Sequence, residues 1–383
     1  MAQDLYNIGI IGGGPAGCCC AYFLLKNGIT PTIIDYLPLM KTILPTGGGK
    51  CNLAHAEYDF RELVKNYPRG EKFLYSIFSK FSTAETLDLF KELGIKTYTR
   101  EDNRIFPISN SSKEVQEKFS IALKKCRVIK EKALRIEQTE NRFKVITDMG
   151  SYNFDKLVFS TGGKSDYEMI KRIGVNIIEP RPSLTGLVTQ EKLSELMGIT
   201  VKNVYNYETG LTDDILFTHF GISGPLVYKI SSLKSRESLP YILNFDLLPN
   251  LEDLQTILNS NPHKFIKNIL SEYLPLSLCE FLLKSTNINP DEKCHRINGK
   301  QRDLILKQIH NFSLTIKSTQ KDGETVTSGG VALDKINPKT MESKEVKGLY
   351  FCGEIINVDG FCGGFNLQNC WSTGYVCAQG VKG

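Results

Sequence analysis

No two of the eleven cysteines are spaced Cys-x-x-Cys, so the chain carries neither a zinc-ribbon pair nor a thioredoxin-like redox pair. No metal site is expected from that pattern. Cys18, Cys19 and Cys20 are consecutive and cannot all reach one partner, which points to reduced thiols used as small apolar residues. No uninterrupted apolar run approaches the roughly 20 residues that a membrane helix needs. The first strand begins near Leu5 and leaves no room for a signal peptide. A soluble, cytoplasmic protein with no membrane partner is the expectation. Internal repeats and low-complexity tracts are missing too. A strong charge of either sign is absent: the net charge of +5 permits an anionic ligand such as a dinucleotide or RNA, but a solvated surface explains it equally well.

One further absence is instructive. Residues 45–52 read PTGGGKCN, three glycines and a lysine in the manner of a phosphate loop. The P-loop needs a glycine five places before the last one and a Ser/Thr after the lysine. Leu44 and Cys51 stand there instead. A nucleoside triphosphate is therefore the wrong ligand for this loop.

What the chain does have is length and an N-terminal nucleotide pattern. Its 383 residues, 41% apolar and 23% charged, suit two or three soluble domains. Tyr6 to Ile11 is an apolar run of the kind a buried parallel strand shows. Gly12-Gly13-Gly14-Pro15-Ala16-Gly17 then supplies G-x-G-x-x-G, followed by a helical stretch to about Asn27 and a strand, Thr32 to Ile34, ending in Asp35. Gly12 allows the tight turn, Gly14 the approach of a pyrophosphate, and Gly17 close packing of helix on strand. The helix N-terminus offers free N–H groups and a positive dipole end. Asp35 is placed for the adenosine ribose hydroxyls, which favours FAD or NAD(H) over NADP(H).

Two later segments bear on FAD against NAD. KLVFSTGGKS (156–165) is a buried strand running into Thr161-Gly162-Gly163, a turn able to cross back over a dinucleotide. Residues 348–380 read as a strand, then Gly353-Glu354, a glycine-rich loop with Gly363-Gly364, and a helix from about Asn366. A two-dinucleotide flavoprotein ends a C-terminal strand in Gly-Asp or Gly-Glu and aims the next helix at the flavin's pyrimidine edge. Reduced flavin is anionic there, and a helix N-terminus stabilises that charge. Between the two halves, residues 186–250 alternate short apolar runs with turns, as a small β-barrel does. From about Leu251 to Asn311 the spacing turns helical. Residues 261–310 hold eight Lys/Arg against five Asp/Glu, and Lys124, Lys125, Arg127, Lys130 and Lys132 form a second basic cluster. Either could meet an RNA backbone; each is also an ordinary solvated surface. His219, in THFGISGP, is either a turn residue or a pocket acid.

Nearly end to end, the sequence resembles the BaiN/RdsA family of FAD-dependent oxidoreductases, the aminoacetone-oxidase-like flavoproteins. The resemblance is carried by IIGGGPAG (10–17), ILPTGGGKCN (43–52), NRIFPIS (103–109), FSTGG (159–163), LFTHFGISGP (216–225), the block 329–355 and DGFCGGFNLQ (359–368). It implies an α/β fold: a discontinuous Rossmann-like FAD-binding domain (1–185 and 329–383) with an inserted β-barrel (186–250 and 312–328) and a small helical domain (251–311). It also implies that Thr46, Gly47, Gly48, Gly49, Lys50, Cys51 and Asn52 run along the flavin. Lys50 stands where the family more often has arginine. Lys41 and the backbone of Ala133 fall on the adenosine side. Asp359, Phe365, Asn366 and Leu367 complete the C-terminal flavin motif. After Ser165 the family's longer loop is missing, which implies an altered substrate side.

The resemblance also bears on the reaction. A disulfide reductase needs two cysteines beside the flavin, and this loop has only Cys51. The family includes a ribosomal RNA dihydrouridine synthase and a steroid Δ4-reductase, both of which add hydride and a proton across an activated C=C bond. The expectation is uridine reduction in 23S ribosomal RNA, with NAD(P)H as a transient donor because only one GxGxxG is present. Cys51 and His219 are the candidate proton donors. An aminoacetone-type amine oxidase, a small-molecule enone reductase and a flavin-bound module without turnover are the alternatives.

Overall fold

A computed structural model describes residues 7–139, 142–165, 167–251, 253–320 and 326–383. The expected strand positions Leu5 and Tyr6 lie outside them. The chain divides into two compact units, 1–181 with 326–383, and 182–325.

The first unit is built on a five-stranded parallel sheet. Its middle strand is β1 (Ile8–Ile11), joined through helix α1 (Pro15–Lys26) to β2 (Thr32–Ile34). Outside β2 lies Arg127–Ile129; on the other side of β1 lie Lys156–Phe159 and then Leu349–Phe351. Chain order therefore reverses between β1 and Lys156–Phe159. In open parallel sheets that reversal opens a crevice at the carboxyl ends of the strands, where ligands bind. The pairing of Ile11 with both Ile34 and Phe159 brings Gly12, Asp35 and Ser160 to that one end.

β1 is buried at every position, as a strand covered on both faces must be. α1 lies against the C-terminal helix, Phe365–Lys382. Cys18, Cys19 and Cys20 are fully buried in that contact region, and a Cβ on Gly374 would come within 2.7 Å of the Ala16 carbonyl. Small side chains are what allow the two helices to approach so closely. All eleven cysteines are free, and ten are buried.

Two small antiparallel sheets also belong to this unit. In one, β3 (Ala54–His55) pairs with Arg104–Pro107, which pairs with Thr97–Thr99. In the other, Ala133–Gln138, Phe143–Thr147 and Ser151–Phe154 form a meander.

The second unit holds a closed barrel. Its strands run, in order around the barrel, Leu187–Thr189, Gly221–Ser223, Leu211–Phe217, Thr200–Asn206, Tyr241–Asp246 and Phe312–Thr319. Helices Leu254–Asn259, Ile266–Leu270, Leu276–Ser285 and Gly299–His310 share one apolar cluster with the barrel. One element departs from the expected strand pattern: Pro225–Leu233 is a helix. Pro225 sits at its first position, where a missing N–H costs nothing, and Leu226, Val227 and Ile230 face the core at helical spacing. Among the described residues no helix is long and apolar enough to cross a membrane.

Candidate active site

The glycine turn between β1 and α1 is shaped by contact distances that exclude side chains. A Cβ on Gly17 would lie 2.0 Å from the Gly12 carbonyl oxygen and 2.5 Å from Ser160 Oγ. Gly14 caps α1 without a side-chain bond, Pro15 opens the helix, and no acidic residue occupies the first turn. The amides of Ala16 and Gly17 are thus left without intrahelical acceptors at the positive end of the helix. Asp35 is held against this turn: Gly13 N donates to Oδ2 at 2.6 Å and Leu37 N to Oδ1 at 2.8 Å. Each carboxylate oxygen keeps a further lone pair for a hydroxyl. Met40 N donates to the Gly13 carbonyl at 2.7 Å, and Lys41 begins the short turn Lys41–Ile43 with its side chain exposed. Thr42 escaped the sequence reading; its hydroxyl stands 3.4 Å from where a Gly14 Cβ would be. Ala133 opens its strand, half-buried, opposite Thr147.

The glycine triplet is left-handed throughout, with φ of 58°, 66° and 85° at Gly47, Gly48 and Gly49. Only glycine takes three such residues in a row without strain. A Cβ at Gly48 would meet nothing within 4 Å, so this part of the loop presents bare backbone. Thr46 Oγ1 donates to the Ile43 carbonyl at 2.6 Å and anchors the loop's start. Lys50 is exposed. Asn52 anchors its end: its side-chain oxygen accepts from Gly364 N at 2.9 Å and its nitrogen donates to the Ala54 carbonyl at 3.0 Å.

Cys51 has a positive φ of 62° and no exposed surface. Burial pushes its thiol up to about 12, with a hydrogen bond to the Thr46 side chain acting the other way. The side chain, with no exposed surface, packs beneath the loop and does not face an outside proton acceptor in this structure, unlike the proton-donor expectation. His219 lies in the second unit, exposed in the turn after Leu211–Phe217, with its ring edge-on to Phe220 at 5.1 Å. The cysteines yield a direct test. Iodoacetamide at pH 8 should alkylate one thiol rapidly in the native protein, Cys362, the exposed one. Cys362→Ser should abolish the fast phase; a second fast thiol would show that the buried set is accessible.

The second half of the site comes from both sides of the C-terminal helix start. Gly162 has φ of 80° and open space around it, and Ser165 Oγ donates to its carbonyl at 2.5 Å. Thr161 is half-buried, while Gly163 packs on Thr327. Gly353 N donates to Thr373 Oγ1 at 2.9 Å, with Glu354 next to it, half-buried. Gly364 caps the C-terminal helix without a side-chain bond, and no acid occupies its first turn. The Asn366 and Leu367 amides are left for an outside acceptor. Two side chains expected at the cofactor are committed elsewhere. Asn366 spends both ends of its amide on Gly360, at 2.8 and 2.9 Å, pinning the preceding loop. Asp359 has no exposed side-chain surface and takes a bidentate ion pair from Arg69. Phe365 accepts at its carbonyl from Tyr67 Oη at 2.7 Å. His55, another residue the sequence reading passed over, stacks on the Phe365 ring.

Residues 6–380 match the profile described as the HI0933-like protein Rossmann domain. The chain belongs to that family. It is an FAD-dependent oxidoreductase. It is 31% identical to the ribosomal RNA dihydrouridine synthase of Haemophilus influenzae, across the full length of both chains. It is 28% identical to the 3-dehydro-bile acid delta(4,6)-reductase of Clostridium scindens, over 97% of this chain and 98% of the other. Among solved structures, the open conformation of a flavocytochrome c3 fumarate reductase aligns with a TM-score of 0.50 at 13% identity, covering 98% of this chain and 78% of that one. At that identity the likeness is one of fold.

The residues of this HI0933-like site fit FAD. Two helix N-termini have no acid in their first turn and a glycine N-cap, which suits them to a pyrophosphate and to an anionic ring edge. The Gly48 backbone offers a surface free of side chains, suited to a flat ring.

Proposed function

We propose that the protein uses NAD(P)H to reduce the C5=C6 bond of uridine in 23S ribosomal RNA, producing dihydrouridine. FAD, when bound, supplies the hydride chemistry. The α1 N-terminus and Gly12–Gly14 turn would take the pyrophosphate, Asp35 the ribose, and Lys41 and Ala133 the adenosine side. Gly47–Lys50 would lie along the ring, with the first-turn amides of the C-terminal helix at its anionic edge. Thr161–Gly163 and Gly353-Glu354 would flank the linking chain. The observation that carries the reading is the full-length similarity to a ribosomal RNA dihydrouridine synthase.

Surface charge supports an RNA substrate. Lys124, Lys125, Arg127, Lys130 and Lys132 are all exposed. In the helical segment much of the excess charge is internally paired, Lys264 with Glu272 and Lys267 with Asp291 and Glu280 among others. Among the described residues Lys284, Lys293, Lys300 and Lys307 are exposed and make no ion pair. These are the cations left for phosphates.

The deciding measurement is mass spectrometry of nucleosides from 23S ribosomal RNA, with and without this gene. Dihydrouridine should disappear on deletion and return with the wild-type gene but not with Gly48→Asp. Unchanged dihydrouridine, in an organism shown to contain it, would overturn the substrate and turn attention to small-molecule enones.

A further inference from the structure

His55 ends β3 and is held from three directions. Its Nδ1 lies 3.1 Å from the Gly363 carbonyl oxygen, so Nδ1 carries the hydrogen and donates it. Its ring stacks on Phe365, with centroids 4.5 Å apart and planes 28° from parallel. Its backbone carbonyl accepts from Thr83 Oγ1 at 3.1 Å. Three residues earlier, Asn52 holds the Gly364 amide. One imidazole is therefore fixed at the residues that begin the C-terminal helix, and it is half-exposed. Among the described residues its Nε2 has no hydrogen-bond partner. Charged and titratable groups on the elements around it include Arg104, opposite on the paired strand and itself 3.6 Å from Asp102, Glu57 two positions on, Tyr67, which packs on Phe365, and Cys362 beside Gly363.

We propose that His55 is the proton donor of the reduction. The assignment rests on the uridine reading above. Hydride arriving at C6 forms the new C6–H bond and leaves the former C5=C6 electron pair on C5. That pair takes the proton from Nε2 of the imidazolium: the N–H bond breaks and the C5–H bond forms. Nδ1 keeps its hydrogen on Gly363 throughout, and water restores the proton to Nε2. Uracil is reduced by two electrons and NAD(P)H, through the bound cofactor, is the species oxidised. A histidine suits this step because Nε2 can carry a proton to an outside acceptor while Nδ1 stays bonded to Gly363, whereas the Cys51 thiol has no exposed surface.

Anaerobic stopped-flow on the holoenzyme separates the half-reactions. His55→Asn should bind FAD and be reduced by NAD(P)H within about twofold of wild type. Its reoxidation by a 23S ribosomal RNA fragment should slow by about 10²–10⁴-fold, the usual worth of a positioned acid. In His55→Gly, added imidazole should restore part of that rate, which a merely structural residue would not show. Without turnover, ¹⁵N NMR of histidine-labelled protein should show the neutral His55 ring protonated at Nδ1. Unchanged reoxidation in both variants, or a ring protonated at Nε2, would overturn the assignment. So would loss of FAD binding together with the reductive half-reaction, which would make His55 structural. Failure of the wild-type reduced enzyme to be reoxidised by RNA would instead sink the uridine reading itself.

Discussion

Gly17→Ala should be purified largely without flavin, with affinity for added FAD weakened at least about 100-fold, roughly 2.7 kcal/mol. The added methyl has nowhere to go. Its carbon would lie 2.0 Å from the Gly12 carbonyl oxygen, and Gly12 is tied by its own N–H to Ile34 at 3.0 Å. It would also lie 2.5 Å from Ser160 Oγ, which donates to Gly12 at 2.8 Å and to Ile11 at 3.1 Å. Neither neighbour is the loose end of a flexible side chain. The start of α1 must therefore move off the strand, and the amides that would meet the pyrophosphate move with it. Overpacking of this kind costs about 1–3 kcal/mol in stability as well. Gly28→Ala is the control. It places a side chain at positive φ, 78°, but meets nothing within 4 Å, so it should lose about 1 kcal/mol of stability and keep its flavin. Absorbance of bound flavin and a fluorescence titration decide the matter. Stoichiometric FAD at wild-type affinity in Gly17→Ala would show that the helix N-terminus is not where the pyrophosphate sits.

The second large effect concerns stability. Arg69→Ala should destabilise the protein by about 3–5 kcal/mol, because it strips a guanidinium from a carboxylate with no exposed surface. That is a large share of the roughly 5–15 kcal/mol by which folded domains exceed the unfolded state. Asp359 also precedes Gly360, the residue that Asn366 pins, so flavin retention should fall with stability. Arg69→Lys keeps the charge but not the two-pronged geometry and should recover only part of the loss. Replacing both partners, Arg69→Met with Asp359→Leu, should be far milder than either single change, since no buried charge is then left behind. Urea midpoints for wild type, Arg69→Ala, Arg69→Lys, the two single changes and the double variant test this directly. If Arg69→Ala shifts the midpoint no more than a surface substitution does, the pair is not the anchor described above.

The pair also marks the limit of what a linear reading reaches. Asp359 stands inside DGFCGGFNLQ and looks like a cofactor ligand, yet its partner is 290 residues away. Asn366 looks the same and is spent on its own loop. Cys51, in the most distinctive stretch of the sequence, turns inward. His55 is held by a carbonyl 308 positions distant, and nothing in its neighbours marks it out. Pro225–Leu233 was expected to continue a strand pattern because its apolar residues are too few for period alone to separate helix from strand.

The β1–turn–α1–β2 unit, by contrast, was legible residue by residue from Ile8 to Asp35. Every device in it is local: a continuous apolar strand, glycines where a Cβ would collide, a helix start, and an acid at the next strand's end. The sequence by itself determined that nucleotide-binding unit and the alternation of barrel and helices in the second unit. Only the tertiary structure decided which polar side chains face a ligand and which are consumed inside. A side chain's role depends on what lies across from it, and segments some three hundred residues apart are brought opposite one another only when the core closes.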